Sequence, residues 1–246
     1  MWHALAAWGG TGKEGKRKAM TRVKICGIRS PEEAAWAVEA GADALGFVFH
    51  PASRRSIDKS LVRRLTKGIP AFVARVGVFV DKPREEIEET VRACGLTVVQ
   101  LHGEERAEMF QNASFPIIKA LKAPDPSRES QPLAASRFRQ ELEAWQGIAQ
   151  AILIDSVQAG EFGGTGRTWL WEGTQSRQWL AEIEQAGFPL ILAGGLTPGN
   201  VRQGIRQTRP YAVDVSSGVE RQGAKDRDLI REFIQQVRKG LTLPAK

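Results

Sequence analysis

Leu192-Ala193-Gly194-Gly195-Leu196-Thr197-Pro198-Gly199-Asn200 and Val213-Asp214-Val215-Ser216-Ser217-Gly218 decide the fold. Each is a short apolar run that passes straight into small residues. Glycine at a strand end lets backbone N–H groups approach a ligand closely, and serine adds hydroxyl donors at no steric cost. Two consecutive strand ends of this kind match the phosphate cradle that a (β/α)8 barrel builds from the loops after its seventh and eighth strands. A lone Gly-Gly would read as a tight turn before a surface helix. Six earlier strand–loop–helix units argue for the cradle instead.

Those units begin at Met20. Apolar, β-branched runs recur at 23–26, 44–49, 74–80, 97–101, 116–121, 151–155, 190–194 and 211–215. Helical stretches lie between them. Ser30-Pro31-Glu32-Glu33 supplies an N-cap, a first-turn proline and two acids at the positive dipole end, and Gly41 stops that helix. Asp58 caps the second helix, and Pro83-Arg84-Glu85-Glu86 opens the third, closed by Gly95. Residues 104–111, 136–147 and 174–186 read as the fourth to sixth helices. Thr197-Pro198 opens the seventh, 226–239 forms the last, and 122–131 reads as a mobile loop. Near-continuously apolar strands alternating with helices demand a parallel sheet buried on both faces. Eight such units fit an α/β fold consisting of a single (β/α)8 TIM barrel over residues 20–246.

Composition narrows the class. The chain has 246 residues, 42% hydrophobic and 26% charged, ordinary values for one soluble enzyme-sized domain. No apolar run is long enough to span a bilayer, so no membrane partner is expected. Two cysteines, Cys26 and Cys94, make neither a disulfide framework nor a CxxC metal site, which suits a reducing cytoplasm. Of the net charge of +7, the first nineteen residues carry +3. The rest is scattered, with no basic helix interleaved with aromatics, so it reads as attraction for an anionic small molecule and not for nucleic acid. Residues 1–19 lack periodicity and read as a short disordered extension. Within them Gly9-Gly10-Thr11-Gly12-Lys13 fails as a P-loop, because Ala7 stands for the first glycine and Glu14 for the Ser/Thr.

In such a barrel the chemistry lies at the C-terminal strand ends. Cys26 and Asp155 stand out there as proton-transfer groups. Alone, the cysteine reads equally as a small buried hydrophobe and the aspartate as a helix N-cap. Together, above a phosphate site, they form an acid/base pair.

The residues also carry a family resemblance. Lys24-Ile25-Cys26-Gly27-Ile28, Gly41 to Phe49, Val76-Gly77-Val78-Phe79-Val80 and Val99-Gln100-Leu101-His102-Gly103 resemble the early strand signatures of phosphoribosylanthranilate isomerase. Ile118-Lys119-Ala120, Leu153-Ile154-Asp155-Ser156, Gly163-Gly164-Thr165-Gly166, Ala193-Gly194-Gly195-Leu196 and Val213 to Glu220 continue the match in the family's order. The resemblance covers residues 21–235.

It implies the third step of tryptophan biosynthesis from chorismate, an Amadori rearrangement of N-(5-phosphoribosyl)anthranilate, with no metal or redox cofactor. Asp155 would protonate the ribose ring oxygen, and Cys26 as thiolate would take the C2′ proton. A free thiol titrates near ~8.5, so the thiolate needs local stabilisation. Lys24 shares the strand face of Cys26 and could supply it. The phosphate is expected on Gly195, Ser216, Ser217 and Gly218 with help from the loop holding Gly164. Arg55 corresponds to the partner of the anthranilate carboxylate, a planar group suited to a guanidinium fork, while neighbouring Arg54 reads as a solvated charge. His102 and Asp214 occupy matching strand ends, where substrate-binding and purely structural hydrogen bonding are both open. The implied assembly is a monomer or a homodimer.

The chain departs from the family at Trp169-Leu170-Trp171, where Leu170 replaces the usual acid, and at Arg29, where threonine is common. Related phosphate-binding barrel isomerases, such as that of histidine biosynthesis or dual-substrate enzymes, carry aspartate where Cys26 stands. A non-catalytic barrel would leave the Cys26/Asp155 pair unexplained.

Removing residues 1–19 is expected to leave melting temperature and kcat/KM almost unchanged. Any contribution of their charge to steering an anionic substrate should vanish with salt. A loss of several degrees, or a roughly tenfold fall in activity that salt does not erase, would show that the extension packs on the barrel.

Overall fold

The computed structural model describes residues 20–122, 131–155 and 174–239. Eight parallel strands form its centre: β1 (Arg22–Cys26), β2 (Ala44–Val48), β3 (Ala74–Phe79), β4 (Val98–Leu101), β5 (Ile117–Lys122), β6 (Ala151–Asp155), β7 (Leu190–Ala193) and β8 (Ala212–Val215). They pair in chain order, and β1 closes the barrel on β8 with Lys24 opposite Asp214. Seven α-helices follow among the described residues: α1 (Pro31–Ala40), α2 (Lys59–Leu65), α3 (Arg84–Cys94), α4 (Gln131–Ala144), α5 (Thr174–Gln185), α6 (Val201–Thr208) and α7 (Arg227–Lys239). None of the helices described is long and apolar enough to cross a membrane.

The strands obey the two-residue alternation of a pleated sheet. Val23 and Ile25 on β1 join the main core beneath the helices. Between them, Lys24 and Cys26 point into the barrel, Cys26 packing with Val48 and Val78. Across the barrel the interior cluster is mostly small: Ala120, Ala151, Leu153, Ile191, Ala193 and Ala212.

The caps expected from the sequence form. Ser30 Oγ accepts from Glu33 N, and Gly41 ends α1 in the left-handed region at φ 93°. Asp58 caps α2, and Gly95 closes α3. Strand ends agree with expectation to within one or two residues. Three helical readings need correction. Residues 104–111 hold a single 3-10 turn at Ala107–Phe110, too short a connection to build an α-helix before β5. α4 begins at Gln131 and not at 136, and most of the loop read at 122–131 lies outside the described residues. α6 starts at Val201, because Asn200 ties back the segment before it: its side chain accepts from Thr197 N and donates to Gly195 O.

One element had no expectation, a hairpin of β9 (Glu220–Arg221) and β10 (Ala224–Lys225) after the eighth strand. Its turn residues Gln222 and Gly223 both have positive φ, 51° and 82°, as a two-residue type I′ turn requires. Glu33 in the first turn of α1 pins this hairpin to the first loop, accepting from both Arg29 N and Lys225 N. Arg29, the residue at odds with the family pattern, donates to the Gly223 and Arg54 carbonyls and so joins hairpin and second loop.

At the opposite end, Arg238 of α7 donates to the Thr21 and Gly41 carbonyls and to Asp43, whose carboxylate also accepts from Val23 N. The last helix is thereby laced to the first two strands, with Phe233 fully buried beneath it. Phe233→Ala should lower unfolding free energy by about 3–5 kcal/mol, as cavity-forming Phe truncations do. Urea unfolding measures this, and a loss below about 1 kcal/mol would contradict the packing.

Candidate active site

Cys26 ends β1 directly opposite Gly46 of β2. A Cβ on Gly46 would stand 2.7 Å from the Cys26 Sγ and 3.1 Å from Lys24 Cε, so only glycine leaves the thiol its place. Below the thiol, Lys24 Nζ donates to Asp214 Oδ2 at 2.8 Å, with side chains 3% and 9% exposed. The Lys24 charge also acts on the Cys26 thiol. Burial pushes the thiol pKa up, and the Lys24 charge pulls against it without cancelling it. Burial works against the Lys24 ammonium as well, but Asp214 and Cys26 together raise its pKa. Lys24 therefore stays charged while Cys26, without substrate, stays a thiol. The expected stabilising cation is present, and desolvation outweighs it.

Asp155 ends β6, three strands round from β1 by way of β7 and β8. His102, one residue beyond β4, places Nε2 4.0 Å from Asp155 Oδ2. The other ring nitrogen, Nδ1, lies 2.9 Å from the Gln100 amide nitrogen. Burial lowers the His102 pKa despite Asp155 beside it, which keeps the imidazole neutral. Lys24 and Asp214 also act on His102, so strands 1, 4, 6 and 8 share one electrostatic cluster. Among the described residues, Gln100 Oε1 and Asp214 Oδ1 are buried there without a hydrogen-bond partner.

The two glycine-rich ends lie against each other. Gly194 and Gly195 both adopt positive φ, 82° and 60°. A Cβ on Gly218 would collide with the Leu196 carbonyl, so the loops after β7 and β8 touch through backbone. Ser216 turns its hydroxyl to the Cys26 carbonyl at 2.9 Å, and Ser217 opens a 3-10 turn. Gly164 and its loop, with Leu170, lie outside the described residues.

Arg55 reaches the same mouth. Its stem passes over Gly27, whose positive φ of 79° and missing Cβ make room for it beside Cys26. The guanidinium is already engaged: Nε and Nη2 donate to the two oxygens of Glu220 at 2.7 and 2.9 Å. Arg54, expected to be merely solvated, shares that carboxylate at 2.9 Å although 59% exposed. Lys225 Nζ, 1% exposed, completes the cluster at 2.8 Å from Glu220 and also donates to Ser216. Burial alone would raise the Glu220 pKa, but hydrogen bonds from Arg55 and Lys225 hold it at about 2. Its charge is thus present throughout the neutral range and lost only as pH falls through about 2. Among the described residues no group of acids, histidines and cysteines could hold a metal ion.

Gly46, Glu220 and Lys225 escaped the sequence reading. Gly46 had a usable signal, its position opposite Cys26 once strands are paired in register. Glu220 closes the matched stretch Val213 to Glu220, but nothing there pointed to its partners Arg54 and Arg55 far away in the chain, and Lys225 had no signal.

A closed (β/α)8 barrel with a cysteine, an aspartate and a histidine at its strand ends, beside two glycine-bearing loops, has the architecture of a barrel enzyme. The family model described as N-(5'phosphoribosyl)anthranilate (PRA) isomerase matches residues 23–236, and the chain belongs to this family. An N-(5'-phosphoribosyl)anthranilate isomerase of Desulfitobacterium hafniense is 43% identical over 236 residues, spanning 89% of this chain and 98% of the relative. The crystal structure of phosphoribosyl anthranilate isomerase from Thermotoga maritima superposes with TM-score 0.75 at 38% identity, covering 89% of this chain and all of that one. A phosphoribosyl anthranilate isomerase in complex with reduced 1-(o-carboxyphenylamino)-1-deoxyribulose 5-phosphate matches with TM-score 0.70 at 38% identity, over 89% of this chain and all of that one.

The Lys24 charge should be measurable at the thiol. Lys24 opposes the upward push of burial on Cys26, so Lys24→Gln should move the thiol titration to still higher pH. Thiolate ultraviolet absorbance followed against pH reads this directly. An unchanged or downward-shifted titration would contradict the arrangement.

Proposed function

We propose that the chain isomerises N-(5'-phosphoribosyl)anthranilate to 1-(2-carboxyphenylamino)-1-deoxyribulose 5-phosphate, with Asp155 as general acid and Cys26 as general base. The observation that carries these roles is the grouping of both residues at one barrel mouth, beside the paired loops of Gly195 and Ser216. The reaction is the third step of tryptophan biosynthesis from chorismate.

Asp155 gives its proton to the ribose ring oxygen as the C1′–O bond breaks, and the anthranilate nitrogen lone pair forms a C1′=N iminium. His102, neutral and 4.0 Å away, lies within reach of the same carboxyl group and can orient it without adding charge. The iminium then changes the balance at Cys26. A positive charge close to a thiol favours thiolate, so the substrate's iminium offsets what burial withholds, and the thiol proton passes to solvent before the base acts. The thiolate takes the C2′ proton, the electrons fall into a C1′=C2′ bond, and the nitrogen becomes neutral. The resulting enol tautomerises to the ketone. No electron is gained or lost overall, and the iminium itself is the electron sink.

The phosphate is assigned to backbone N–H groups of Gly195, Ser216, Ser217 and Gly218, with the Gly164 loop assisting. The left-handed glycines and the close approach at Gly218 support this. Arg55 is assigned to the anthranilate carboxylate, and Asp214 to bracing the cation below the thiol. We further assign residues 20–246 to the catalytic barrel and 1–19 to an extension outside it. The chain acts in the cytoplasm, in keeping with two cysteines free of disulfides, as a monomer or a homodimer.

Cys26→Ala should nearly abolish turnover while the fold survives, since general-base contributions run to ~10²–10⁴-fold. Retention of more than roughly a tenth of wild-type kcat would remove Cys26 from the role. Asp155→Asn keeps shape but cannot donate the proton, so ring opening should stall, and substrate supplied already ring-opened should escape part of the defect. Full activity of Asp155→Asn on the closed sugar would place the acid elsewhere.

A further inference from the structure

Arg55 and Glu220 stand 165 residues apart in the chain and meet edge to edge through two hydrogen bonds. A bidentate pair fixes the plane of a guanidinium as well as its position. With Nε and Nη2 turned towards Glu220, the Nη1 edge is the part of Arg55 left to face a ligand. Glu220 is itself held. Its side chain is 5% exposed, Lys225 grips Oε1 from within at 2.8 Å, and Arg54 grips Oε2 from without. Lys225 is anchored in turn on the Ser216 carbonyl and hydroxyl, and that hydroxyl on the Cys26 carbonyl. A continuous chain of contacts thus runs from the strand end bearing the thiol to the plane of Arg55.

Charge as well as geometry suits this arrangement. An Arg55–Glu220 pair alone would be neutral and would attract a carboxylate weakly. Lys225 and Arg54 make the cluster three cations against one anion, so it stays positive while its central acid acts as a clamp. A long side chain fixed before the substrate arrives also loses less freedom on binding.

We infer that Glu220, locked by Lys225, is the positioning residue for Arg55, turning its Nη1 edge towards the anthranilate carboxylate. The inference rests on the assignment of Arg55 to that carboxylate and goes beyond it by naming what aims the guanidinium. Glu220 touches no reacting atom, so its loss should appear in KM and in discrimination, not in the proton transfers.

The test compares the natural substrate with its analogue built on aniline, which lacks the carboxylate, in wild type, Arg55→Ala, Glu220→Gln and the double variant. Glu220→Gln should raise KM for the natural substrate about two- to tenfold, the range expected for freeing one immobilised side chain. Its kcat and its KM for the analogue should stay near wild type. In the double variant the Glu220 change should add nothing to Arg55→Ala, because there is no guanidinium left to aim. Glu220→Asp, which keeps the charge but shortens the reach, should show the same loss of discrimination and serves if Glu220→Gln does not fold. If Arg55→Ala loses discrimination while both Glu220 variants keep it, the positioning role is overturned and the Arg55 assignment stands. Should Arg55→Ala discriminate like wild type, the underlying assignment fails instead. Equal losses on both substrates would reduce Glu220 to a structural residue and overturn the inference.

Discussion

The ion pair between Lys24 and Asp214 is the constraint around which the site is arranged. It spans the seam where β1 closes on β8, with both side chains almost wholly removed from water. Such a pair gains little net stability over an apolar filling, yet removing one partner strands a buried charge at about 3–5 kcal/mol. Against a typical total stability of about 5–15 kcal/mol, neither residue can be lost lightly. The pair therefore holds a permanent cation beneath Cys26 and braces the strand end that carries it. Gly46 completes the seat by leaving out the side chain that would displace the thiol.

This arrangement bears on how a buried cysteine could serve as the base proposed for Cys26. Burial keeps it protonated in the empty protein, where a resident thiolate would be exposed to oxidation and other unwanted chemistry. The Lys24 charge narrows the gap without closing it. In the proposed mechanism the remaining push comes from the iminium that forms at the step before the base is needed, so activation would follow from the reaction's own intermediate. On the far side of the mouth, the neutral His102 avoids placing a second fixed cation beside Asp155.

Much of the architecture was legible in the sequence because it is local. Strand spacing, the Ser30 and Asp58 caps and the glycine stops at 41 and 95 all act within a few residues of themselves. The placement of Cys26, Asp155, His102 and Asp214 at one mouth followed from strand order, and that of Arg55 from the family resemblance. Contacts that depend on tertiary closure were not legible. Lys24 was recognised as a neighbour of the thiol, but its pairing with Asp214 across 190 residues needed the closed barrel. The expected helix at 104–111 shrank to one 3-10 turn, because Glu105 turns inward to Lys119 and Gly103 and fastens the segment to β5. The hairpin at 220–225 has strands of two residues, too short for any periodicity to register. Glu220 and Lys225 gain their meaning from Arg55 and Ser216, which no spacing rule connects to them.

The fold, the family and the site converge on one reaction, and that reaction has a direct optical signature. Freshly prepared N-(5'-phosphoribosyl)anthranilate should lose its anthranilate-type fluorescence on addition of the purified chain, with no metal or redox cofactor added, and the carboxyphenylamino-deoxyribulose phosphate should accumulate in equal amount. Fluorescence that decays no faster than in buffer, with folded protein present, would contradict the account at its centre.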